Sequence, residues 1–199
     1  MSSISFSISR LSVLHLHDVQ IDIHQGECIG LSGPSGSGKS LLLRALADLQ
    51  EHTGEICLQQ KKQVDFKPCD WRKQVALLPA DSQWWGDTVA EHFRSVDESG
   101  LQQLGFEKDV MSWQVSRLSS GEKQRLAFLR LLENQPQVLL LDEPTANLDA
   151  ANSGVVEQMI RHYLESHKAC AVYVSHDLEQ LSRIADRQFK IVSGQLESV

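Results

Sequence analysis

The sequence of 199 residues contains no run of about 18 consecutive apolar residues, so it predicts no helix that spans a bilayer. Its start, MSSISFSISR, lacks the apolar block of a secretory signal, which we therefore do not expect. It has no Lys/Arg cluster, and the net charge of −7 argues against a broad nucleic-acid-binding surface. Internal repeats, low-complexity tracts and flexible linkers are absent as well. One domain is therefore the simplest organisation for a chain of this length.

Cysteine is scarce and scattered. The four cysteines, at positions 28, 57, 69 and 170, form no C-x-x-C pair and have no metal-ligand spacing. This distribution predicts reduced thiols rather than disulfides or a structural metal site. His15 and His17 share one face of a short segment, but no third ligand lies nearby, so the pattern favours a solvated face over a metal site.

Hydrophobic periodicity predicts an α/β fold. Apolar residues alternate with polar ones in residues 4–8 and again in 19–23, which predicts half-buried strands of an antiparallel layer. Later, continuous apolar strands alternate with helical segments, a pattern typical of a parallel sheet covered on both faces. The polar stretch at residues 81–117 offers only short helical pieces. We therefore expect a single domain with a core made of residues 1–80 and 118–199 and a helical insert between them.

A glycine-rich segment, GPSGSGKS at residues 33–40, matches G-x-x-x-x-G-K-[ST] between a predicted strand and a predicted helix. Glycines let backbone N–H groups turn toward phosphate oxygens, and the helix N-terminus adds partial positive charge. Lys39 supplies a charge for the outer phosphates, and the Ser40 hydroxyl is a ligand for Mg²⁺. A chance glycine-rich turn is the alternative, and the flanking strand and helix argue against it. The residues predicted to bind nucleotide here are Gly33, Pro34, Ser35, Gly36, Ser37, Gly38, Lys39, Ser40 and Leu41.

An apolar strand that ends in two carboxylates, VLLLDEP, supports the same prediction independently. It brings Asp142 and Glu143 to the C-terminal edge of the sheet, where open α/β folds bind ligands. Asp142 is suited to binding Mg²⁺, and Glu143 is placed to polarise an attacking water. Strands ending in acidic residues are common, so it is the combination with the phosphate loop that predicts a site for ATP and Mg²⁺.

Three further motifs carry a resemblance to one family. LSSGEKQR, residues 118–125, resembles the signature of ABC-type ATPases, usually written LSGGQ and followed by a basic helix. ANLD, ending at Asp149, resembles the D-loop of that family, and VYVSHD places His176 as its switch histidine. The motifs follow one another in the order of that family, and the resemblance covers nearly the whole chain. The sequence is therefore identified as similar to the ATP-binding subunits of ABC transporters.

The resemblance implies a P-loop NTPase core with an N-terminal antiparallel β layer and a small helical subdomain. It implies hydrolysis of ATP, with Mg²⁺ bound by Ser40 and Asp142. Glu143 would be the general base, and Lys39 and His176 would contact the γ-phosphate. It also implies a separate transmembrane transporter subunit as partner, and hence a cytoplasmic location on the inner face of the membrane.

The resemblance further implies a head-to-tail homodimer with two ATP molecules at its interface. Ser119 and the helix beginning near Gly121 would then cap the γ-phosphate bound to the other copy. The simpler interpretation of LSSGE is a helix cap with Glu122 in the first turn. The two interpretations are compatible.

The sequence departs from the family pattern at three places. Ala80 stands where relatives carry the glutamine that senses Mg²⁺ and the attacking water, and Gln83 follows three residues later. Ser120 replaces the first glycine of the signature. Where relatives stack an aromatic residue on adenine, the approximate equivalent is Arg10, with Phe6 the nearest aromatic side chain.

Two adjacent tryptophans, Trp84 and Trp85, lie in the loop after the apolar strand QVALLP. One interpretation is an anchor for the membrane subunit, because exposed aromatic side chains bury much area at interfaces. The other is that a tryptophan fills the seam between insert and core near Phe93 and Trp113. Both remain open at this point, and one tryptophan could serve each role.

The narrower resemblance is to bacterial iron or metal export ATPases, carried by WRKQVALLPADSQWWGDTV and by the stretch from LSSGEKQR to MIRHY. One alternative is a soluble non-transport ABC ATPase. A chromosome or DNA-repair ATPase would need a long coiled coil, and no sustained heptads occur. A second alternative is a cassette that binds ATP but hydrolyses it weakly because of Ala80.

Overall fold

The computed structural model describes residues 4–199, and residues 1–3 of the N-terminal pattern lie outside the described residues. The β-strands are β1 (Ile4–Val13), β2 (Leu16–His24), β3 (Cys28–Ser32), β4 (Thr53–Leu58), β5 (Lys61–Lys62), β6 (Val75–Leu78), β7 (Val138–Asp142), β8 (Cys170–Val174), β9 (Arg187–Val192) and β10 (Gln195–Ser198). The α-helices are α1 (Lys39–Leu46), α2 (Pro68–Gln74), α3 (Glu98–Gln103), α4 (Ser120–Leu132), α5 (Ala150–His167) and α6 (Leu178–Ile184). Short 3₁₀ segments lie at Gln63–Asp65, Val89–His92, Lys108–Ser112 and Val115–Arg117.

The chain forms two sheets. A six-stranded sheet has the order β10-β9-β3-β8-β7-β6, parallel except for the terminal hairpin of β9 and β10. Strands β3, β7 and β8 are buried along their whole length, because both faces of this sheet are covered. An antiparallel sheet has the order β2-β1-β4-β5. These two sheets confirm the predicted α/β core with an antiparallel layer at its N-terminal side.

The hydrophobic core consists of two clusters on opposite faces of the parallel sheet. One joins the antiparallel sheet, α1 and α2, and includes Phe6, Trp71 and Leu140. The other joins α4, α5 and the helical region, and includes Phe128 and Leu139. Neighbouring leucines of β7 thus face different clusters, as the two-residue period of a strand requires. Each fully buried leucine contributes roughly 1.5–3 kcal/mol to stability.

Residues 81–117 contain α3 and three of the 3₁₀ segments, which agrees with the predicted short helical pieces. The described residues of this region form one isolated β-bridge, between Thr88 and Gln114. Leu101 and Val110 pack in the same hydrophobic cluster as Phe128 of α4, so this region shares one core with α4. The division at residues 80 and 118 stays a prediction.

Three details differ from the sequence-based expectation. The apolar spacing of KSLLLRALADL predicts a helix to Leu49, but α1 ends at Leu46 and Asp48 adopts a φ of 58°. The pattern also missed α2 and β10, which are too short to show a period.

Among residues 4–199, no helix combines the length and the apolar character needed to cross a membrane.

Candidate active site

The phosphate loop connects β3 to α1, as predicted. Gly38 caps α1 with a φ of 106°, a conformation that favours glycine. A Cβ atom at this position would stand 2.9 Å from Nε2 of His15. The third glycine of the motif is therefore needed both for the turn and for the close approach of the β1–β2 hairpin.

Lys39, the first residue of α1, is buried, with 7% of its surface exposed. Its ammonium group donates to the carbonyl oxygens of Gly33 at 2.8 Å and Pro34 at 3.0 Å. Burial lowers the pKa of Lys39, and the negative charges of Glu143 and Asp142 oppose that shift. The loop thus holds a cation next to two carboxylates.

A cleft of about 440 Å³ brings most of the predicted catalytic side chains together. It is lined from the phosphate loop by Ser35, Gly36, Gly38, Lys39, Ser40 and Leu41. From the ends of β6, β7 and β8 it is lined by Ala80, Asp142, Glu143 and His176. The carboxyl ends of parallel strands meet at one sheet edge, which explains how residues so distant in sequence converge.

A second hollow of about 570 Å³ lies beside the same loop. Pro34 and Ser37 line it, together with Lys190 and the turn between β9 and β10. His15 lines both hollows, so the tip of the β1–β2 hairpin stands between them.

Glu143 occupies a strained and partly buried position. Its φ is 48°, and its backbone N–H donates to the carbonyl of Val174 at 3.1 Å. Such a conformation costs a non-glycine residue about 1–3 kcal/mol, which the surrounding structure must offset. Its Oε1 lies 3.4 Å from Nε2 of His176. The strain fixes the carboxylate at the mouth of the cleft.

The environment of Glu143 favours its protonated form. Burial raises the pKa of the Glu143 carboxyl, Asp142 adds to the rise, and His176 and Lys39 oppose it. Its Oε1 is buried and has no hydrogen-bond partner among the described residues. A poorly solvated carboxylate with a free oxygen is suited to accept a proton from a water molecule.

A buried hydrogen-bond network that the sequence analysis missed connects the loops that carry Glu143 and His176. Gln180 of α6 donates to Thr145 Oγ1 at 2.7 Å and accepts from Ser175 Oγ at 2.8 Å. Thr145 lies just after Glu143, and Ser175 just before His176. Tyr173 completes the network through its hydroxyl, 3.1 Å from that of Thr145. A buried polar residue three positions into a short helix gives no periodic signal, so only the structure reveals it.

The loop after β6 presents Ala80, not a glutamine, to the cleft. Gln83 is exposed, and its amide donates to the carbonyl of Asp81 at 3.3 Å. The carbonyl of Gln83 accepts from Arg130 at 3.0 Å. Within the described residues, Gln83 therefore does not take the place that Ala80 leaves.

Neither residue suggested for adenine lines the phosphate-loop hollows. Phe6, the nearest aromatic side chain in the sequence, is fully buried, with its ring 6.1 Å from that of Trp71, so it has no free face for a base. Arg10 is exposed at an irregular position of β1. The hairpin turns at Leu14 and His15, because Val13 pairs with Leu16, and this tight turn places His15 at the loop. The register of the hairpin, which the sequence did not reveal, decides which of its residues reaches the loop.

The signature segment lies outside both hollows. Ser119 caps α4, accepting from the N–H of Glu122 at 3.2 Å, while the Glu122 carboxylate accepts from the Ser119 N–H at 2.8 Å. A Cβ atom at Gly121 would stand 2.7 Å from the carbonyl oxygen of Asn147. Asp149 caps α5 by accepting from the N–H of Asn152 at 2.8 Å. The capping interpretation of LSSGE thus holds in the single chain.

The two tryptophans have different environments. Trp84 is half-buried and packs against the cluster that also receives Phe93 and Trp113. Trp85 is 74% exposed. The Arg130 guanidinium lies 4.6 Å from the Trp84 ring and 5.0 Å from the Trp85 ring. Trp84 therefore fills the seam, and Trp85 remains available at the surface.

Comparison with known proteins places this site in a family context. Residues 16–146 match the family described as ABC transporter. Protein STAR1 of Oryza sativa subsp. japonica is 34% identical over 197 residues, covering 92% of this chain and 57% of STAR1. The probable iron export ATP-binding protein FetA of Escherichia coli (strain K12) is 31% identical over 180 residues, covering 84% of this chain and 80% of FetA. The aliphatic sulfonates import ATP-binding protein SsuB 3 of Nocardia farcinica (strain IFM 10152) is 32% identical over 185 residues, covering 91% of this chain and 72% of SsuB 3.

A solved structure of a bacterial Atm1-family ABC exporter with ATP bound superimposes with a TM-score of 0.86 at 21% identity. The match covers 98% of this chain and 38% of that chain. At this identity the likeness shows the fold, here the P-loop NTPase fold of an ABC protein. The chain spans 57% of STAR1, so it corresponds to part of that relative. Taken with the family match and the motifs that converge on the cleft, these similarities show that the chain belongs to the ABC transporter family.

Proposed function

We propose that ATP binds along the phosphate loop and is hydrolysed in the cleft that contains Lys39, Glu143 and His176. The observation that carries the proposal is the 3.4 Å separation of Glu143 Oε1 and His176 Nε2 beside the buried Lys39. A base, a cation and a histidine at one sheet edge match the needs of phosphoryl transfer to water, which depends on positioning and charge stabilisation.

Each residue has a role in this proposal. The N–H groups of Gly33 and of residues 35–41 surround the phosphates, and Lys39 moves from the loop carbonyls to the outer phosphates. Ser40 and Asp142 fit Mg²⁺, because a hydroxyl and a buried carboxylate face the same cleft. Mg²⁺ would neutralise phosphate charge there. Glu143 accepts the proton of the attacking water, and His176 contacts the γ-phosphate.

A head-to-tail homodimer completes the site in this proposal. Ser119 and Gly121 lie at the start of α4, outside the cleft that holds Lys39 and Glu143. A second copy would bring the N-terminal N–H groups of its α4 to the γ-phosphate, where an anion is favoured.

The test is Mg²⁺-ATP hydrolysis by the purified chain over a range of protein concentrations. We expect turnover to rise faster than linearly with concentration. Glu143→Gln should lower it by about 10²–10⁴-fold, the usual contribution of a general base. Glu179→Gln, an exposed carboxylate in α6, is the matched control and should keep full activity. Strictly linear turnover, or an active Glu143→Gln variant, would contradict the proposal.

A second candidate is a cassette that binds ATP but hydrolyses it weakly, and the position of Ala80 at the cleft supports it. Ala80→Gln distinguishes the two. If Ala80 limits hydrolysis, the variant should turn over faster with unchanged ATP affinity. Equal rates would mean that the chain does not need a glutamine at this position.

The proposed partner is a separate transmembrane transporter subunit, with this chain bound at the cytoplasmic face of the membrane. A groove of about 430 Å³ beside β6 and α4, lined by Trp85, Arg130 and Leu131, is the proposed docking surface. A tagged chain should co-purify with one membrane protein from its own cell. Trp85→Ala should abolish that association, whereas Leu178→Ala, an exposed leucine on α6, should not. Equal recovery with Trp85→Ala would refute the docking surface.

Export of iron or another metal is the narrower proposal. It is supported by the resemblance of the Trp84–Trp85 segment to iron-export ATPases and by the similarity to FetA. Relatives of similar identity are named for sulfonate or sulfate import. If the chain drives iron export, removing it from its own cell should raise the iron content of the cell in iron-rich medium. Unchanged iron content would refute this assignment.

A further inference from the structure

His92 is the centre of the loop that carries the two tryptophans. It is buried, with 6% of its surface exposed. Its Nε2 accepts from the backbone N–H groups of both Trp85 and Gly86 at 2.9 Å. Its Nδ1 lies 3.0 Å from the carbonyl oxygen of Thr88. Since Nε2 faces two donors and Nδ1 faces an acceptor, the ring is neutral with its proton on Nδ1.

The imidazole also separates the two indoles. The His92 ring centroid lies 4.7 Å from that of Trp84 and 4.6 Å from that of Trp85, with interplanar angles of 64° and 61°. Gly86 packs so closely that a Cβ atom there would stand 2.6 Å from Glu91 Oε2 and 3.1 Å from His92 Cε1. The loop is therefore built around this one side chain.

We propose that His92 is a positioning residue that holds Trp85 on the docking surface while its imidazole is neutral, and that protonation of Nε2 releases the loop. A proton on Nε2 would point at two N–H donors, so both hydrogen bonds would be lost together. Histidine is the side chain whose ordinary charge change falls between about pH 5 and 8. The effect on binding of a partner depends on the docking function proposed above. Release of the loop on protonation does not depend on it.

Glu91 is a carboxylate close to His92, and its hydrogen bonds go to the backbone of the loop rather than to the imidazole. Glu91, its neighbour in the chain, accepts from the N–H groups of Asp87 at 3.3 Å and Thr88 at 3.1 Å. From α4, Arg130 presents its positive charge to both indoles.

The remaining charged side chains of the groove are occupied elsewhere. Glu133 accepts from the N–H of Arg94 at 2.9 Å, and the Arg94 guanidinium donates to Asn134 at 3.1 Å. Arg72 pairs with Asp48 at 3.4 Å. An imidazolium at His92 would thus lie between the positive charge of Arg130 and the negative charge of Glu91, and neither residue replaces the two hydrogen bonds that Nε2 would lose.

The test follows His92 and the loop amides by NMR in the intact chain without nucleotide or partner. At about pH 7.5, long-range ¹⁵N spectra should show His92 with its proton on Nδ1. As the pH falls from about 7.5 to about 5.5, hydrogen-exchange protection of the Trp85 and Gly86 amides should drop by about tenfold, because the opened loop exposes a histidine that can bind a proton and the closed loop does not. The amide of Cys170, bonded to the carbonyl of Gln137 at 3.0 Å and away from this loop, is the internal control and should stay protected.

Variants separate positioning from simple packing. His92→Gln retains a neutral acceptor that does not titrate, so it should keep the protection at both pH values. His92→Phe retains a ring but no acceptor and should lose protection at both. His17→Gln, at an exposed position of β2, should behave like the parent chain. An Nε2–H tautomer, or Trp85 and Gly86 amides that are as protected at pH 5.5 as at pH 7.5, would overturn the proposal. The tautomer of His92 and the protection of these amides are independent of ATP hydrolysis, so this test and the test of the proposed ATPase activity can fail separately.

Discussion

Among single residues, Glu143 combines three properties that a general base needs. Its left-handed backbone places it just beyond β7, its carboxylate is half-buried, and His176 lies beside it. The same burial that raises its pKa opposes folding when the group is charged. Activity and stability are therefore in conflict at this position.

Glu143→Gln should raise the thermal midpoint of unfolding at neutral pH. Because the folded pKa lies above the unfolded value, the charged carboxylate destabilises the fold once the pH exceeds the unfolded pKa, and the amide removes that cost. The gain should shrink as the pH falls through the raised folded pKa and should be gone below about 4.3, the ordinary value for glutamate. Calorimetry from neutral pH down to below about pH 4.3 measures the difference in thermal midpoint between Glu143→Gln and the parent chain. Glu179→Gln serves as the comparison. A gain that is the same at every pH would show that the charge is not its cause.

His15 should contribute to binding the base of ATP but not its phosphates. Its ring stands at the phosphate loop between the two hollows. We expect His15→Ala to weaken ATP binding by about tenfold, a typical effect of losing one ring against a base. Inorganic tripolyphosphate should bind equally well to both proteins. Arg10→Ala, away from these hollows, is the control, and an equal loss for tripolyphosphate would show that His15 acts on the loop instead.

At the level of elements, helix termini and strand ends carry most of the site. The phosphate loop precedes α1, and Ser119 caps α4. Asp142 ends β7 and Glu143 follows it, and His176 lies two residues beyond β8. Such positions combine free N–H groups with exposed side chains, whereas the interiors of the same elements are buried and serve packing.

Ser119→Ala should cost about 1 kcal/mol of unfolding free energy, because α4 loses its capping box. Urea unfolding measures the loss, and Ser116→Ala, an exposed serine three residues earlier, is the matched control. If Ser119 also acts across a dimer, ATP turnover at saturating protein concentration should fall further than this loss of stability explains. Unchanged stability would contradict the observed cap.

For the whole molecule, the arrangement of Ser119 and Gly121 outside the cleft predicts that two copies associate when ATP is bound. Glu143→Gln should retain ATP and accumulate the complex. Sedimentation of this variant with Mg²⁺-ATP should give twice the mass seen without nucleotide. Adding Lys39→Ala removes the charge for the phosphates and should abolish the increase. A single mass under both conditions would contradict the dimer.

The local features of this protein were predictable because each depends on neighbours in the chain. Strand alternation identified β1 and β2, and continuous apolar runs identified β3, β7 and β8. Short elements without a period, α2 and β10, were not predictable in this way. The phosphate loop, Asp142 and Glu143 were evident because strand, turn and helix follow one another directly.

The amino-acid sequence by itself determined the α/β layers, the phosphate loop and the carboxylates that follow β7, since each requires only local backbone chemistry. The tertiary structure alone decided which residues meet across the chain. It brought His15 rather than Arg10 to the phosphate loop, linked Gln180 to both catalytic loops, and enclosed His92 between Trp84 and Trp85. These contacts depend on strand register and on packing between distant segments, which no local pattern encodes.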